Sequence, residues 1–374
     1  VLLDASNDSD ARLLNGSPSG FNGGLSELGR VDRLKIYAPT QPGLLGTVEV
    51  TASTGGPRPL PGTIRLQLGA LNIPAMRAAV QIGQGSGTLA PGAAAIVLTH
   101  WGDIRVMGDM VVNHDHDLVL KSANAPVTGQ SYEALKIFED RWVDYWIGGS
   151  VSLLAPSATG TGFPANVHTQ QRSTPGLRLD LWGYELLKKT AQRHGTYYRL
   201  GRDGRLHAAG AHESDPGIVP AEALTASAVG QSRGLVFIDT LDGEAPTPEN
   251  VGTLVLDTDY VEALVIVQGH VVVKPSGAGR TLTVLSPPPE GSSSLSGRIP
   301  VTLSGIHLNG LLYAAGTISI ERQTRLYGAV VAAGTLMTAG AMSLEVWYNW
   351  DFGRGLFRGL PVVYRAPATW QVKY

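Results

Sequence analysis

The chain has 374 residues and no cysteine, which removes disulfides, thiolate metal sites and cysteine nucleophiles. Lysine is scarce: it stands only at 35, 121, 136, 188, 189, 274 and 373, and the rest of the 29 basic side chains are arginine. With 31 acids the formal net charge is −2, so no global field selects nucleic acid or a membrane surface, and any such function has to come from a local patch. No stretch reaches the roughly 18–20 apolar residues of a membrane span, and no signal peptide is present. The first residue is Val1 rather than methionine, so we expect a preceding segment, processed or cut away and able to serve as a membrane anchor. The apolar content of 43% and a mean hydropathy near zero predict a folded, soluble protein of two domains, or of one domain with a large insertion. The 47 glycines and 23 prolines sit between strand-like runs, where they mark turns rather than a low-complexity tract.

What the chain does contain is a tandem repeat. Residues 306–323 read IHLNGLLYAAGTISIERQ and residues 324–341 read TRLYGAVVAAGTLMTAGA. Leu308, Gly310, Ala314, Ala315, Gly316 and Thr317 return as Leu326, Gly328, Ala332, Ala333, Gly334 and Thr335. A short apolar strand, a glycine and a second short strand at an 18-residue period are the pattern of a β-solenoid rung, whose apolar face is buried only by stacking on a neighbour. Strand-like runs begin again at Ala95 (AIVLT, GDIRV, MVV, LVL). Gly234, Gly252 and Gly269 each precede another (LVFI, TLVL, HVVV), at spacings close to that of the repeat, and Ser286–Gly297 reads as a loop excursion.

Elsewhere the periods differ. Arg33–Tyr37, Gly46–Ala52 and Thr63–Leu68 alternate as antiparallel strands with one wet face. Gly83–Gly87 reads as a boundary; its glycine spacing does not match a nucleotide loop. Ser131–Ile147 predicts a helix with Leu135, Phe138, Trp142 and Tyr145 on it. Thr174-Pro175 opens a second helix, with Leu179, Trp182 and Leu186 on one face and Gly195 as its stop. Thr196–Leu200 and Arg205–Ala208 flank Asp203-Gly204, a hairpin signal. The tail from Ser343 holds eight aromatic residues and reads as two or three wide strands.

Two phrases, Ala95–Gly108 (AIVLTHWGDIRVMG) and Gly310–Ser319 (GLLYAAGTIS), resemble the C-terminal regions of PilX-like type IV pilus assembly proteins. Leu326–Gly334 (LYGAVVAAG) repeats the phrase, and Thr369–Val372 (TWQV) is similar to the short Trp-containing ending of that group. The resemblance implies a mainly β protein: a pilin- or pseudopilin-like antiparallel sheet with a large inserted β-solenoid and one or two short helices. The expected division is 1–92 with 342–374 for the sheet domain and 93–341 for the solenoid, with a helical and hairpin excursion around 131–230. It further implies a minor pilin without catalytic centre or cofactor, at the tip of a cell-surface pilus and in the inner membrane or periplasm before assembly. Its partners would be other pilin subunits, and the membrane only through an N-terminal helix absent from this chain.

The sharpest local feature is Lys188–His207. Lys188, Lys189, Arg193, Arg199, Arg202 and Arg205 face a single acid, Asp203, with Tyr197 and Tyr198 interleaved. Such a run is either a solvated helix end around a hairpin or a phosphate-contacting surface with stacking tyrosines. The resemblance favours the second, because competence-associated pilins take part in DNA uptake; the expected ligand is double-stranded DNA, bound without sequence preference. A second run, with Arg354, Arg358 and Arg365 among Phe352, Phe357 and Tyr364, reads as sheet-closing aromatics. His114-Asp115-His116-Asp117 cannot converge on one ion from a strand, because its histidines and acids alternate faces. Asp257 and Asp259 are weak calcium candidates. The repeat carries one acid, Glu321, too few for a glycan-cleaving site. The rival reading is a glycan-binding adhesin using Trp142, Tyr145 and Trp146, with Glu139, Asp140 and Asp144 beside them.

Overall fold

Two units divide the chain: Val1–Asn72 with Pro361–Tyr374, and Ile73–Leu360. The computed structural model describes residues 1–16, 27–38, 44–71, 78–83, 89–90, 96–112, 143–154, 167–171, 181–211, 215–288, 298–340, 342–354, 362–365 and 371–373.

The first unit is an antiparallel sheet. Strands β1 (Leu2–Asp4), β2 (Gly29–Tyr37), β3 (Leu44–Thr54) and β4 (Pro61–Leu71) lie in chain order, and β26 (Val362–Arg365) and β27 (Gln371–Lys373) both pair with β4. The three alternating runs of the sequence fall within β2, β3 and β4. Helix α1 (Asp8–Asn15) starts at Asn7, whose side chain accepts from the Ser9 N–H, and it buries Leu14 completely. Its last residue guards the sheet. The Asn15 amide donates to the Val31 carbonyl and accepts from the Val31 N–H, both at 2.8 Å, so it stands in for a neighbouring strand. Asn15→Leu should expose that stretch of β2 and lower the thermal transition of this unit, at a cost of about 1–2 kcal/mol; an unchanged transition would show the pair to be dispensable.

The second unit begins with β5 (Ala78–Ile82), β6 (Leu89–Ala90), β7 (Ile96–His100), β8 (Asp103–Val106), β9 (Met110–Val112), β10 (Tyr145–Ile147), β11 (Val151–Leu153) and β12 (Val167–His168). After α2 (Leu181–His194) come β13 (Thr196–Leu200), β14 (Leu206–Ala208) and the short helix α3 (Pro220–Leu224). The remainder is β15 (Leu235–Asp239), β16 (Thr253–Leu256), β17 (Val261–Val267), β18 (His270–Val273), the antiparallel hairpin β19 (Arg280–Leu285) and β20 (Pro300–Ile306), β21 (Leu308–Ala314), β22 (Ile318–Ile320), β23 (Thr324–Ala332), β24 (Leu336–Thr338) and β25 (Ser343–Tyr348).

These strands stack in parallel as solenoid rungs. One sheet runs β12-β10-β8-β5-β23-β21-β17-β15-β13, closed by antiparallel β14, and a second runs β11-β9-β6-β24-β22-β18-β16. The second sheet alternates, so one face is wet: Leu254, Val271, Ile318 and Leu336 stack inward in register, while Val255, Val272, Ser319 and Met337 face out. Each inward aliphatic side chain contributes roughly 1.5–3 kcal/mol of burial. In the first sheet β15 and β17 are buried on both faces, which accounts for their unbroken apolar sequences LVFI and ALVIV.

The rung order is not the chain order. From β5 the chain climbs through β8 and β10 to β12 at one end of the stack. It resumes at β13 at the other end and climbs through β15, β17 and β21 to β23, which docks on β5. Both halves advance the same way, so the stack is continuous. Its entry strand β5 and exit strand β25 are both neighbours of β23, in mid-stack. A solenoid wound in simple order would leave its two ends far apart; this order brings them together, as insertion into another domain requires.

Several sequence expectations need correction. β5, β6 and β25 belong to the rung stack, so the chain divides at 72/73 and 360/361 rather than at 92/93 and 341/342, and Gly83 lies inside a rung. The 18-residue spacing joins β21 to β23 and β22 to β24. The 17-residue step from Gly252 to Gly269 likewise joins β16 to β18, whereas Gly234 and Gly252 precede strands of different sheets and elsewhere loops of different length intervene. Leu344 pairs with Thr324, and the leucine ladder Leu308–Leu326 continues into Val346. Tyr145–Ile147 is a strand rather than a helix end; the body of that expected helix, 131–142, lies outside the described residues.

Candidate nucleic-acid interface

Helix α2 lies against β13 and β15 and ends where the sequence places its stop, with the Gly195 N–H reaching the Ala191 carbonyl. Its buried face is Tyr184, Leu187 and Ala191, at the three- and four-residue spacing of one helical face. The start expected at Thr174-Pro175, and Leu179, lie outside the described residues. The helix is pinned by a polar knot around Asp239, the last residue of β15. This carboxylate is fully buried; it accepts from the hydroxyls of Tyr184 (2.7 Å) and Tyr197 (2.8 Å) and from the Thr240 N–H (2.9 Å). Lys188 Nζ lies 3.0 Å from it and also donates to the Gly243 carbonyl and the Tyr184 hydroxyl. Burial first, then Asp239, pushes the Tyr184 hydroxyl far above the usual tyrosine pKa, and the same two causes raise Tyr197.

The knot sorts the expected contact residues. Lys188 is drawn inward as the partner of Asp239, so its charge is neutralised within the fold. Tyr197 stacks on Phe237 and gives its hydroxyl to Asp239. Tyr198 is its neighbour on one strand and points to the opposite face, so the two tyrosines form no common platform. Lys189 is exposed and pairs with Glu185 one helical turn back (3.3 Å). Arg193 is exposed, and neither it nor Arg199 or Arg202 has an acidic partner among the described residues.

Beyond α2, the expected hairpin is present. β13 and β14 pair antiparallel around Asp203-Gly204, with Gly204 at φ 76°, in the left-handed region where glycine is unstrained. Arg205 donates to the Gly217 carbonyl (3.0 Å) and sits 3.7 Å from Asp203. Arg199, Arg202 and Arg205 line one cavity of about 620 Å³. Asp203, Asp215, Asp242 and Glu249 line it too. The sequence stretch 188–207 shows one acid. The other three arrive from 215 and from the β15–β16 loop, and only the fold brings them here. His207, buried at the cavity wall, has no partner for Nδ1 among the described residues.

No family model and no curated protein matches the chain. Among solved structures, the crystal structure of the competence-associated pilin ComZ from Thermus thermophilus is similar at 11% identity and a TM-score of 0.35, covering 92% of this chain and 84% of that one. Similarity at that level fixes neither family nor ligand.

The aromatic platform of the rival reading is not assembled. Tyr145 is buried in the rung stack at 1% exposure. Trp146 stacks on His168 at 4.2 Å and donates to Asp103 (3.2 Å), and His168 in turn meets Asp144 (3.2 Å). Trp142, Glu139 and Asp140 lie outside the described residues, as do His114–Asp117. Asp259 is bound to Arg280 and the Gly279 N–H, an ion pair rather than a calcium ligand. Among the described residues no group of three acids and histidines could hold a metal, and no helix is long and apolar enough to cross a membrane. In the second basic run Phe352 is fully buried, while the side chains of Arg354, Arg358 and Arg365 lie outside the described residues.

Proposed function

We propose that this chain is a non-catalytic binding subunit of a cell-surface filament of the type IV pilus class, and that it contacts double-stranded DNA at the β13–β14 end of its rung stack. The observation that carries the reading is the set of unpaired guanidiniums there. Arg193, Arg199 and Arg202 stand on consecutive elements with no acidic partner among the described residues; Arg205 shares a cavity with Arg199 and Arg202, and Lys189 is one helical turn from Arg193. Unpaired arginines at one end of a rigid stack suit phosphate contacts that carry no base specificity. The filament half of the reading rests on the repeated phrases around Gly310 and Gly328. It is supported by the antiparallel sheet built from both chain ends, with the rung stack inserted between them.

The four acids of the cavity set the expected strength. They dilute the positive field, so affinity belongs in the non-specific range, a dissociation constant of about 10⁻⁶–10⁻⁴ M at physiological salt. Three free arginines neutralising three phosphates give a slope of roughly −3 in log K against log salt. Fluorescence anisotropy with a labelled duplex over a salt series measures both. Replacing Arg193, Arg199, Arg202 and Arg205 by alanine should weaken binding strongly and flatten the slope of what remains. An unchanged slope in that variant would place DNA contact elsewhere, and no binding at low salt would sink the DNA reading. Lys188→Ala is expected to act differently, through lost stability.

A further inference from the structure

The rungs turn two corners. The first, from the large sheet to the second, carries the arginine cavity; the opposite one, where successive rungs return, holds a pocket of its own, of about 560 Å³. Its walls are the turn Pro275–Ala278 after β18, the approach to β21 at Gly305 and His307, Arg322 and Gln323 just before β23, Arg325 within it, and Met342. Among the described residues no acidic side chain lines it. The Asp259 carboxylate lies against Gly277 and is neutralised by Arg280; the acids on neighbouring turns are occupied too, Glu321 by Lys274, and Glu345 by Arg325 and His100.

Donors are left over. Arg322 is exposed, and among the described residues its side chain makes one hydrogen bond, to the Pro275 carbonyl (3.1 Å), so most of its guanidinium fork is uncommitted. The N–H groups of Gly277 and Ala278 make no hydrogen bond among the described residues. The turn that carries them is held in place. His307 accepts the Arg325 N–H at Nδ1 (3.1 Å), so its neutral ring keeps the proton on Nε2 and donates it to the Gly277 carbonyl (3.3 Å). The Gly279 N–H is tied to Asp259 (3.0 Å). A guanidinium fork beside successive free N–H groups is the donor set that tetrahedral oxyanions recognise.

We propose that this corner pocket binds a phosphate-type oxyanion, with Arg322, the Gln323 amide and the free N–H groups of Gly277 and Ala278 as its donors. The group is either free inorganic phosphate or a backbone phosphate of nucleic acid. The site does not depend on the arginine cavity, which lies on the opposite corner.

The test is a titration of the whole chain with potassium phosphate against potassium chloride at matched ionic strength, followed by amide chemical shifts. Saturation with a dissociation constant of about 1 mM is expected. Arg322→Ala should weaken it about tenfold, the loss of one charge-assisted hydrogen bond. Ala278→Asp, which adds a negative wall and leaves Arg322 in place, should abolish it. The variant lacking Arg193, Arg199, Arg202 and Arg205 should bind phosphate as the parent does, so failure of the DNA reading leaves this result intact. Wild-type affinity in Arg322→Ala, or the same shifts with chloride, would overturn the proposal. A parallel duplex titration identifies the source: weaker DNA binding in Arg322→Ala assigns the phosphate to DNA, and unchanged DNA binding assigns it to the free anion.

Discussion

Gly328→Val should abolish the cooperative unfolding transition of the 73–360 unit. Gly328 and Gly310 stack within strands β23 and β21 of successive rungs, in register above Ala263. Their φ angles, 147° and 143°, lie where only glycine is unstrained. A Cβ on Gly328 would stand 1.7 Å from the Gly310 carbonyl oxygen, and one on Gly310 would stand 1.9 Å from that of Ala263. The obstacles are backbone atoms of the neighbouring rung, so no side chain can swing away. Relief requires separating strands that exchange a full ladder of hydrogen bonds. The cost should exceed about 4 kcal/mol, the upper tail for single substitutions. Gly340→Ala is the control: φ is 55° and its Cβ would meet nothing within 4 Å, so about 1 kcal/mol of backbone strain is the whole effect. Circular dichroism melts of both variants decide the matter. Equal, small shifts would show that the rungs tolerate a wider spacing.

Asp239→Ala should cost about 3–5 kcal/mol, the range for stranding a buried charge. It leaves Lys188 without its counterion, and it takes the acceptor from the buried Tyr184 hydroxyl, the half-buried Tyr197 hydroxyl and the Thr240 N–H. The double variant with Lys188→Met should recover a good part of the loss, because the uncompensated charge goes with it. If the second substitution adds a further loss, the knot is held by something other than charge pairing. The knot also has a pH signature. Tyr184 and Tyr197 titrate higher in the fold than in the open chain, so their contribution is complete below the ordinary tyrosine pKa of about 10. It falls away as pH rises beyond that value. Base melting of α2 should therefore set in above about pH 10, and Tyr197→Phe should blunt it.

The local devices were legible because each is encoded by neighbours in sequence. The Leu308–Gly310 and Leu326–Gly328 phrases give two rungs in register, and Asp203-Gly204 gives a hairpin. Gly195 gives a helix stop. The end of Ser131–Ile147 was misread as helix, because Tyr145 and Ile147, two residues apart, point inward from strand β10. The basic run 188–207 was legible as charge and not as surface. Asp239, 51 residues beyond Lys188, removes that lysine from solvent, and Asp215, Asp242 and Glu249 enter the arginine cavity from other segments.

By itself the sequence determined a cysteine-free, mainly β chain with stacked rungs, an antiparallel sheet and one concentrated basic segment. Period, glycine placement and turn chemistry act over a few residues and survive in one dimension. Only the tertiary structure decided that the rungs stack out of chain order, with entry and exit side by side. It also decided which cations remain unpaired and where free donors gather on the opposite corner. Those outcomes depend on contacts between residues tens to hundreds of positions apart, and a carboxylate neutralises whichever cation the fold sets beside it.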